Sequence, residues 1–190
     1  MGWNKYLVYL IYFMFLLSSG RRGDVFLEEV NWVKYAIKKA KDNSKKWALQ
    51  KEITILKFLK WKINFVPQIL EYWEDFFKYK FIEWKTLNKV KNPSKNIYRQ
   101  LLKYAYLLDK LEVEHWELSK PTKNIIISPD EKVYIIDFER WNMYNTKFKN
   151  MRGYSQFLAK AWFITFKELK KNMKYADIEK IYDGIKNALS

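Results

Sequence analysis

The stretch from His115 to Arg140 constrains the fold of this chain more than any other part of its sequence. Two short apolar runs, residues 125–127 and 133–136, are separated by the segment Ser-Pro-Asp-Glu-Lys. A Pro-Asp turn between two such runs is typical of a β-hairpin. Asn124 precedes the first run and Asp137 follows the second, so the hairpin would place their oxygen atoms side by side. Because hard cations such as Mg²⁺ bind oxygen ligands, the sequence predicts that these two residues hold a metal ion.

The polar residues around this hairpin resemble the catalytic and metal loops of protein kinases. His115, Glu117 and Asn124 match the kinase pattern H-R-D-x-x-x-x-N, and Asp137-Phe138 match the start of D-F-G. The resemblance is closer to small atypical kinases of archaea and bacteria, relatives of the RIO kinases and of the kinase subunit of the tRNA-modifying KEOPS complex. It implies that Glu117 orients or deprotonates an acceptor hydroxyl. Glu117 stands where aspartate is usual, and it lies seven residues before Asn124 rather than five.

Residues 18–25 resemble the kinase glycine-rich pattern G-x-G-x-x-G-x-V, with serine in place of the first glycine. Glycines at such a turn let the backbone close over phosphates without obstruction by side chains. The residues that follow alternate as a hairpin and end in Tyr-Ala-Ile-Lys, which is similar to the kinase V-A-I-K. The resemblance implies that the following residues contact ATP, with the lysine on its α and β phosphates: Gly20, Gly23, Val25, Ala36 and Lys38.

Apolar residues recur at helical spacing over residues 46–62 and predict a helix there. Glu52 lies on this helix in the pattern Gln-Lys-Glu-Ile, which resembles the kinase helix whose glutamate pairs with the strand lysine. The resemblance therefore implies that an ion pair between Lys38 and Glu52 holds the lysine over the phosphates. The alternative is that Glu52 is an exposed partner of Lys51 or Lys57.

Two strand-like runs, residues 68–72 and 76–82, flank a Trp-Glu-Asp turn. The second run ends in Phe81-Ile82-Glu83, which is similar to the hinge where kinases hydrogen-bond adenine. The resemblance implies that Phe81 and Glu83 take part in nucleotide binding.

The order of these motifs predicts an α+β fold. The resemblance to kinases implies that this fold is two-lobed and protein-kinase-like. Residues 1–83 would form a small antiparallel-sheet N-lobe, and residues 84–190 a reduced helical C-lobe, in one kinase-like domain. Asn-Pro-Ser at 92–94 is a helix start signal. A polar loop to about residue 150 and two further helices, 154–174 and 176–189, complete the prediction.

The net charge of +15 is consistent with RNA or another anionic partner, since basic surface supplies sequence-independent affinity for phosphates. Nearly all of the excess positive charge comes from lysine. Arginine is the side chain preferred for recognition of phosphates and bases, because its planar guanidinium can donate two parallel hydrogen bonds. The chain has no cysteine and one histidine, which excludes disulfides, thiolate zinc sites and multi-histidine metal centres. The arginines are Arg21, Arg22, Arg99, Arg140 and Arg152.

Residues 6–17 form an apolar run that is shorter than the roughly 20 residues of a membrane span. A buried or lobe-edge segment in a cytoplasmic protein is favoured. A signal-peptide core or a membrane anchor is the alternative, because small residues follow at 18–20.

Nine tryptophans stand against five glycines, although glycine normally supplies about 7% of residues. Asn31-Trp32 sits where a two-residue hairpin prefers Asn-Gly, and Trp116 lies where the resembling kinases carry glycine. One hypothesis is that a codon translated here as tryptophan, UGA above all, is read as glycine in the source organism. The alternative is a tryptophan-rich surface that binds bases or membrane. The hypothesis also covers tryptophans near other expected turns, Trp73, Trp84 and Trp141.

Taken together, the motifs predict an ATP- and magnesium-dependent phosphotransferase, an atypical serine/threonine protein kinase. Two alternatives stay open: a catalytically weak or inactive nucleotide- or RNA-associated scaffold, and a membrane-associated small-molecule or lipid kinase.

Overall fold

The computed structural model describes residues 12–143 and 147–189 and has a mixed α+β fold. Its described strands are β1 Tyr12–Ser19, β2 Gly23–Val30, β3 Val33–Ala40, β4 Ile69–Tyr72, β5 Phe76–Lys80, β6 Lys85–Thr86, β7 Val113–His115, β8 Ile125–Ile127, β9 Val133–Ile135 and β10 Trp141–Met143. The described α-helices are α1 Lys46–Leu59, α2 Lys95–Lys110, α3 Lys149–Lys160, α4 Phe166–Asn172 and α5 Ile178–Ala188.

The chain divides into two compact units. The first contains the described residues up to Lys57 together with Gln68–Ile82, and the second contains Phe58–Pro67 and the described residues from Glu83 onward. The sequence prediction places residues 58–67 in the N-lobe, yet they belong to the second unit. The reason is local packing, because the Phe65 ring stacks on Tyr104 at 3.8 Å and its carbonyl accepts a hydrogen bond from the Ile135 amide at 2.8 Å.

The first unit is built on an antiparallel sheet with the strand order β1-β2-β3-β5-β4. The predicted hairpin is confirmed, since β2 and β3 pair from Gly23 opposite Ala40 to Val30 opposite Val33. Helix α1 buries its apolar residues at the predicted helical spacing. Those residues are Ala48, Leu49, Ile53 and Leu56.

Strand β1 covers part of the apolar run predicted at residues 6–17; residues 6–11 lie outside the described residues. The side chains from Met14 to Leu17 are exposed, so a buried segment is wrong for this part of the run. The strand instead occupies one end of the strand order. Within the described residues, no helix is both long and apolar enough to cross a membrane.

Three tryptophans adopt the left-handed backbone conformation that favours glycine. The φ angles are 65° at Trp32, 70° at Trp61 and 63° at Trp162, and these side chains are 84%, 89% and 90% exposed. Asn31, with φ of 50°, precedes Trp32 between β2 and β3, so the pair has the two positive φ angles of a type I′ turn. Such turns strongly prefer Asn-Gly.

Other tryptophans at expected glycine positions do not adopt the left-handed backbone conformation. None of four has a positive φ, and one of them, Trp141, lies in strand β10 rather than in a turn. These four are Trp73, Trp84, Trp116 and Trp141. These four positions therefore do not use the left-handed backbone conformation that favours glycine.

The second unit packs α2 against α3 and α5. Ser94 precedes α2 at the predicted start, and the helix buries a stripe that includes Ile97, Leu101 and Leu108. The predicted hairpin is present as β8 and β9, with Ile125 opposite Ile135, and β6 joins β8 to complete a three-stranded sheet. Strands β7 and β10 form a separate antiparallel pair, with Trp141 opposite His115.

The helix predicted over residues 154–174 is wrong, because two helices, α3 and α4, occupy this region. Helix α3 starts at Lys149, within the region predicted as a polar loop, and ends in a Schellman motif. In that motif Phe163 donates to the Leu158 carbonyl at 3.0 Å and Trp162 to Ala159 at 3.3 Å. Thr165 then starts α4 with a capping box.

Candidate functional site

Lys38 on β3 and Glu52 on α1 form the predicted ion pair. The Lys38 Nζ lies 2.6 Å from Glu52 Oε2, and the side chains are 12% and 2% exposed. The alternative, in which Glu52 is an exposed partner of Lys51 or Lys57, is wrong because Glu52 is buried. Helix α1 places this carboxylate among its buried apolar residues, so the lysine ammonium is held in a fixed position by a group with little access to water.

The sheet places other predicted residues on the face that carries Lys38. Val25 stands opposite Lys38 in the register of β2 and β3, and Ala36 lies two residues earlier on β3. Directly opposed residues, and residues two apart on a strand, share one face of a sheet. Tyr79 on β5 stands opposite Ala36, and burial raises the pKa of its phenol to about 12, with the Lys38 cation opposing this shift. The face therefore carries a lysine with Val25 on one neighbouring strand and the aromatic residues Phe77 and Tyr79 on the other.

The predicted glycine-rich turn joins β1 to β2. The Gly20 amide donates to the Gly23 carbonyl at 2.9 Å. A Cβ at Gly23 would lie 2.8 Å from the Lys39 carbonyl oxygen, so the close approach of β3 requires glycine there. Lys41 donates from its Nζ to the Gly20 carbonyl at 3.2 Å and to Ser19 Oγ at 3.1 Å. Sequence reasoning missed Lys41, and nothing distinguishes it from the many other lysines.

The predicted hinge residues have different environments. The Phe81 amide donates to the Lys34 carbonyl at 3.1 Å, which ties the residue after β5 to β3. Glu83 is exposed. The role of these two residues in nucleotide binding stays a prediction.

His115 is buried at the end of β7 and contacts residues 136 and 138, on either side of Asp137. Its Nε2 lies 3.1 Å from the Ile136 carbonyl oxygen, and its ring meets that of Phe138 edge-on with centroids 4.6 Å apart. The Glu117 amide donates to His115 Nδ1 at 3.4 Å. A neutral ring with its proton on Nε2 satisfies both contacts. Burial lowers the pKa of this imidazole, and the contact with Ile136 opposes the shift.

Glu117 and Asn124 are in direct contact. The Asn124 side-chain amide donates to the Glu117 carboxylate, while the Asn124 carbonyl accepts from the Ile136 amide at 2.9 Å. Arg140 lies 3.9 Å from the other oxygen of Glu117, and both of those side chains are partly exposed. Because the Asn124 amide nitrogen faces Glu117, its Oδ1 is the atom that could coordinate a cation.

Asp137 follows β9 in a left-handed conformation, with φ of 66°. A non-glycine residue held in this region costs about 1–3 kcal/mol, and such residues cluster at functional sites. Its carboxylate has an oxygen within 4.8 Å of one from Glu139. Oxygen atoms of Asn124, Asp137 and Glu139 suit Mg²⁺ in chemical type. Glu139 was missed as a ligand, although its position two residues after Asp137 in a loop that follows a strand was a signal.

A buried polar network, also missed by sequence reasoning, supports the loop from its other side. Asn150 accepts from the His115 amide at 2.8 Å and donates to the Val113 carbonyl at 2.6 Å and to Asp109 at 2.7 Å. Asp109 also accepts from the Met151 amide at 2.8 Å, at the start of α3. Both polar side chains are almost fully buried, so they fix β7 against α3. Nothing in the local sequence signals a contact between positions 41 residues apart.

In comparisons with known proteins, the chain matches no protein-family model and no curated protein.

Proposed function

We propose that the protein is an ATP- and magnesium-dependent phosphotransferase, an atypical serine/threonine protein kinase with a two-lobed protein-kinase-like fold. The observation that carries this proposal is the buried Lys38–Glu52 pair. Burying two charges costs desolvation energy that their attraction often fails to offset, so such a pair is weak support for a purely structural role. A lysine fixed on a sheet face among apolar and aromatic side chains instead suits the phosphates and base of a nucleotide.

In the proposed reaction, ATP supplies the γ-phosphoryl group. The acceptor hydroxyl oxygen forms a bond to the γ-phosphorus as the bond from that phosphorus to the β–γ bridging oxygen breaks, and ADP leaves. Lys38, oriented by Glu52, and the Gly20–Gly23 turn position the phosphates. Oxygen atoms of Asn124 and Asp137 would hold Mg²⁺, and the bound ion would supply positive charge to neutralise the charge that develops on the phosphates.

Glu117 would orient the acceptor hydroxyl and take up its proton. Its partly exposed carboxylate can be reached by an acceptor, and its contacts with Asn124 and His115 hold its backbone and one oxygen in place. General-base assistance of this kind increases the reaction rate by about 10²–10⁴-fold.

Replacing Glu117 tests this role. We expect Glu117→Gln to lose transfer of radiolabelled phosphate from ATP, including autophosphorylation, by about 10²-fold or more while ATP affinity is unchanged. Glu112→Gln, at an exposed position before β7, is the matched control and should behave as the native protein. Equal labelling of the Glu117→Gln variant and the native protein would show that Glu117 has no such role.

A second candidate function, a nucleotide-binding scaffold without turnover, is favoured by the contacts of Glu117. Its carboxylate already accepts a hydrogen bond from Asn124 and lies 3.9 Å from Arg140, so both of its oxygens have a partner within the described chain before any acceptor hydroxyl arrives. ATP binding without phosphate transfer in the native protein would support the scaffold over the kinase.

A further inference from the structure

A cationic pocket lies beside the start of α3 in the second unit. It is an open depression with a volume of about 650 Å³. Three of its lining residues are cationic, and no described lining residue carries a carboxylate. Its lining includes Lys147, Phe148, Lys149, Arg152, Gly153 and Ala176.

The arginine of this pocket is held in place by backbone carbonyls. Arg152 donates from Nε to the Lys147 carbonyl at 3.0 Å and from Nη1 to the Met173 carbonyl at 3.5 Å. Within the described chain, neither Arg152 nor Lys147 has a carboxylate partner within 4.0 Å. A guanidinium fixed by neutral groups keeps its charge available to an anion.

The acidic groups near the pocket are already engaged by other partners. Glu114 pairs with Lys149 at 2.7 Å, which accounts for one of the three cations. Asp109 accepts hydrogen bonds from the Asn150 and Met151 amides near the start of α3. Asp177, next to Ala176, accepts from the Lys180 amide at 3.1 Å and so caps α5. The positive charges of Lys147 and Arg152 therefore have no compensating carboxylate among the described residues.

One wall of the pocket touches the loop that carries Glu117. A Cβ at Gly153 would lie 3.3 Å from Ser119 Cβ and 3.5 Å from the Ser119 backbone nitrogen, so α3 packs directly on this loop. Ser119 is two residues after Glu117. A polypeptide that presents a hydroxyl to Glu117 would therefore pass close to the cationic pocket.

The geometry points to this pocket as the site that binds an acidic residue of the acceptor polypeptide. The protein would thus select serine or threonine hydroxyls flanked by aspartate or glutamate. This inference rests on the proposed function for the identity of the acceptor. RNA fits less well, because nucleic acid is bound by cationic tracks that extend over several nucleotides, whereas the cations here lie together at the start of one helix and only one of them is arginine.

Peptide binding measured without ATP tests the pocket independently of catalysis. The probes are a fluorescein-labelled serine peptide flanked by glutamates and the same peptide with lysines in their place, followed by fluorescence anisotropy. We expect the native protein to bind the acidic peptide at least tenfold more tightly, and Lys147→Glu and Arg152→Gln to abolish this preference. Lys103→Glu, at an exposed position on α2, makes the same charge change as Lys147→Glu and should leave the preference intact.

The outcomes separate this inference from the proposed function. Loss of acidic-peptide binding in Lys147→Glu, with no phosphate transfer by the native protein, would support the pocket and contradict the kinase. Equal binding of the two peptides, or unchanged acidic-peptide binding by Lys147→Glu, would overturn the inference even if transfer is observed. Binding of a labelled single-stranded RNA that only the pocket variants lose, without any change in peptide binding, would also overturn it. Because Lys147 is exposed, its variant stays informative if Arg152→Gln fails to fold.

Discussion

The Lys38 Nζ lies 2.6 Å from a carboxylate oxygen of Glu52, and the Glu52 side chain is only 2% exposed. Removing one partner of a buried ion pair leaves an uncompensated charge, which costs about 3–5 kcal/mol. We therefore expect Glu52→Gln to lower the free energy of unfolding by about 3 kcal/mol in urea denaturation. The variant should also bind ATP more weakly, because the lysine loses the group that orients it.

Glu71→Gln is the matched control for this change, since Glu71 lies on the same sheet but is exposed. Surface substitutions of this kind usually change stability by less than about 0.5 kcal/mol. The double variant Lys38→Met/Glu52→Leu should recover stability without recovering ATP binding. If Glu52→Gln is as stable as Glu71→Gln, the buried pair contributes nothing and the account of this contact is wrong.

The burial of His115 predicts how stability depends on pH. Burial lowers the pKa of the folded imidazole below the ordinary value of 6.5, so between these two values the unfolded chain binds a proton that the folded chain does not. The contribution of His115 to stability is therefore complete above pH 6.5. It is lost as pH falls below that value, with a slope of at most about 1.4 kcal/mol per pH unit.

Urea denaturation of the native protein and of His115→Gln at about pH 5 and pH 7.5 checks this expectation, because the two conditions lie on either side of the ordinary imidazole pKa. The chain has a single histidine, so the difference between the two pH dependences isolates its titration. The native protein should lose more stability at the lower pH than the variant. Parallel pH dependences would mean that His115 is not held neutral by the fold.

We expect glycine to be stabilising at the three tryptophan positions with a left-handed backbone conformation. Trp32→Gly, Trp61→Gly and Trp162→Gly should each raise the free energy of unfolding by about 1 kcal/mol, since glycine adopts this backbone region without the Cβ clash. Trp47→Gly is the control: Trp47 is also exposed, but it is the second residue of α1 and has no positive φ, so glycine relieves no strain there and should not stabilise the protein. Destabilisation by all four changes would contradict the strain at the three positions.

The same positions bear on the hypothesis that a codon is read as glycine in the source organism. The hypothesis predicts UGA codons at Trp32, Trp61 and Trp162 in the gene and glycine at these positions in the protein isolated from its source, read by peptide mass spectrometry. Trp116→Gly should improve ATP binding without a large change in stability, because Trp116 has no positive φ. UGG at all nine tryptophan codons would end the hypothesis.

Local patterns were sufficient to predict the hairpins and most helices. The alternation that ends at Lys38 predicted β2 and β3, and the Pro-Asp turn predicted β8 and β9. The Lys38–Glu52 pair was predictable only through the order of motifs, because nothing within either segment indicates that the two residues meet. The break at Trp162 was missed because tryptophan gives no turn signal, although Thr165-Phe-Lys-Glu168 has the capping-box spacing.

Long-range polar contacts were beyond the reach of sequence patterns. The contact between Asp109 and Asn150 depends on how α2 packs against α3, which hydrophobic periodicity does not specify. Asparagine and aspartate near helix ends are common and usually exposed, so neither residue was distinctive before the packing was known.

Magnesium-dependent ATP binding tests the central claim most directly. Thermal unfolding of the native protein should shift upward by several degrees with millimolar ATP and Mg²⁺, because a ligand at 100 times its Kd stabilises the folded state by about 2.7 kcal/mol. Asp137→Ala should lose the magnesium-dependent part of this shift, while Asp130→Ala, in the exposed turn between β8 and β9, should retain it. A melting curve of the native protein that is unchanged by ATP and Mg²⁺ would contradict the account.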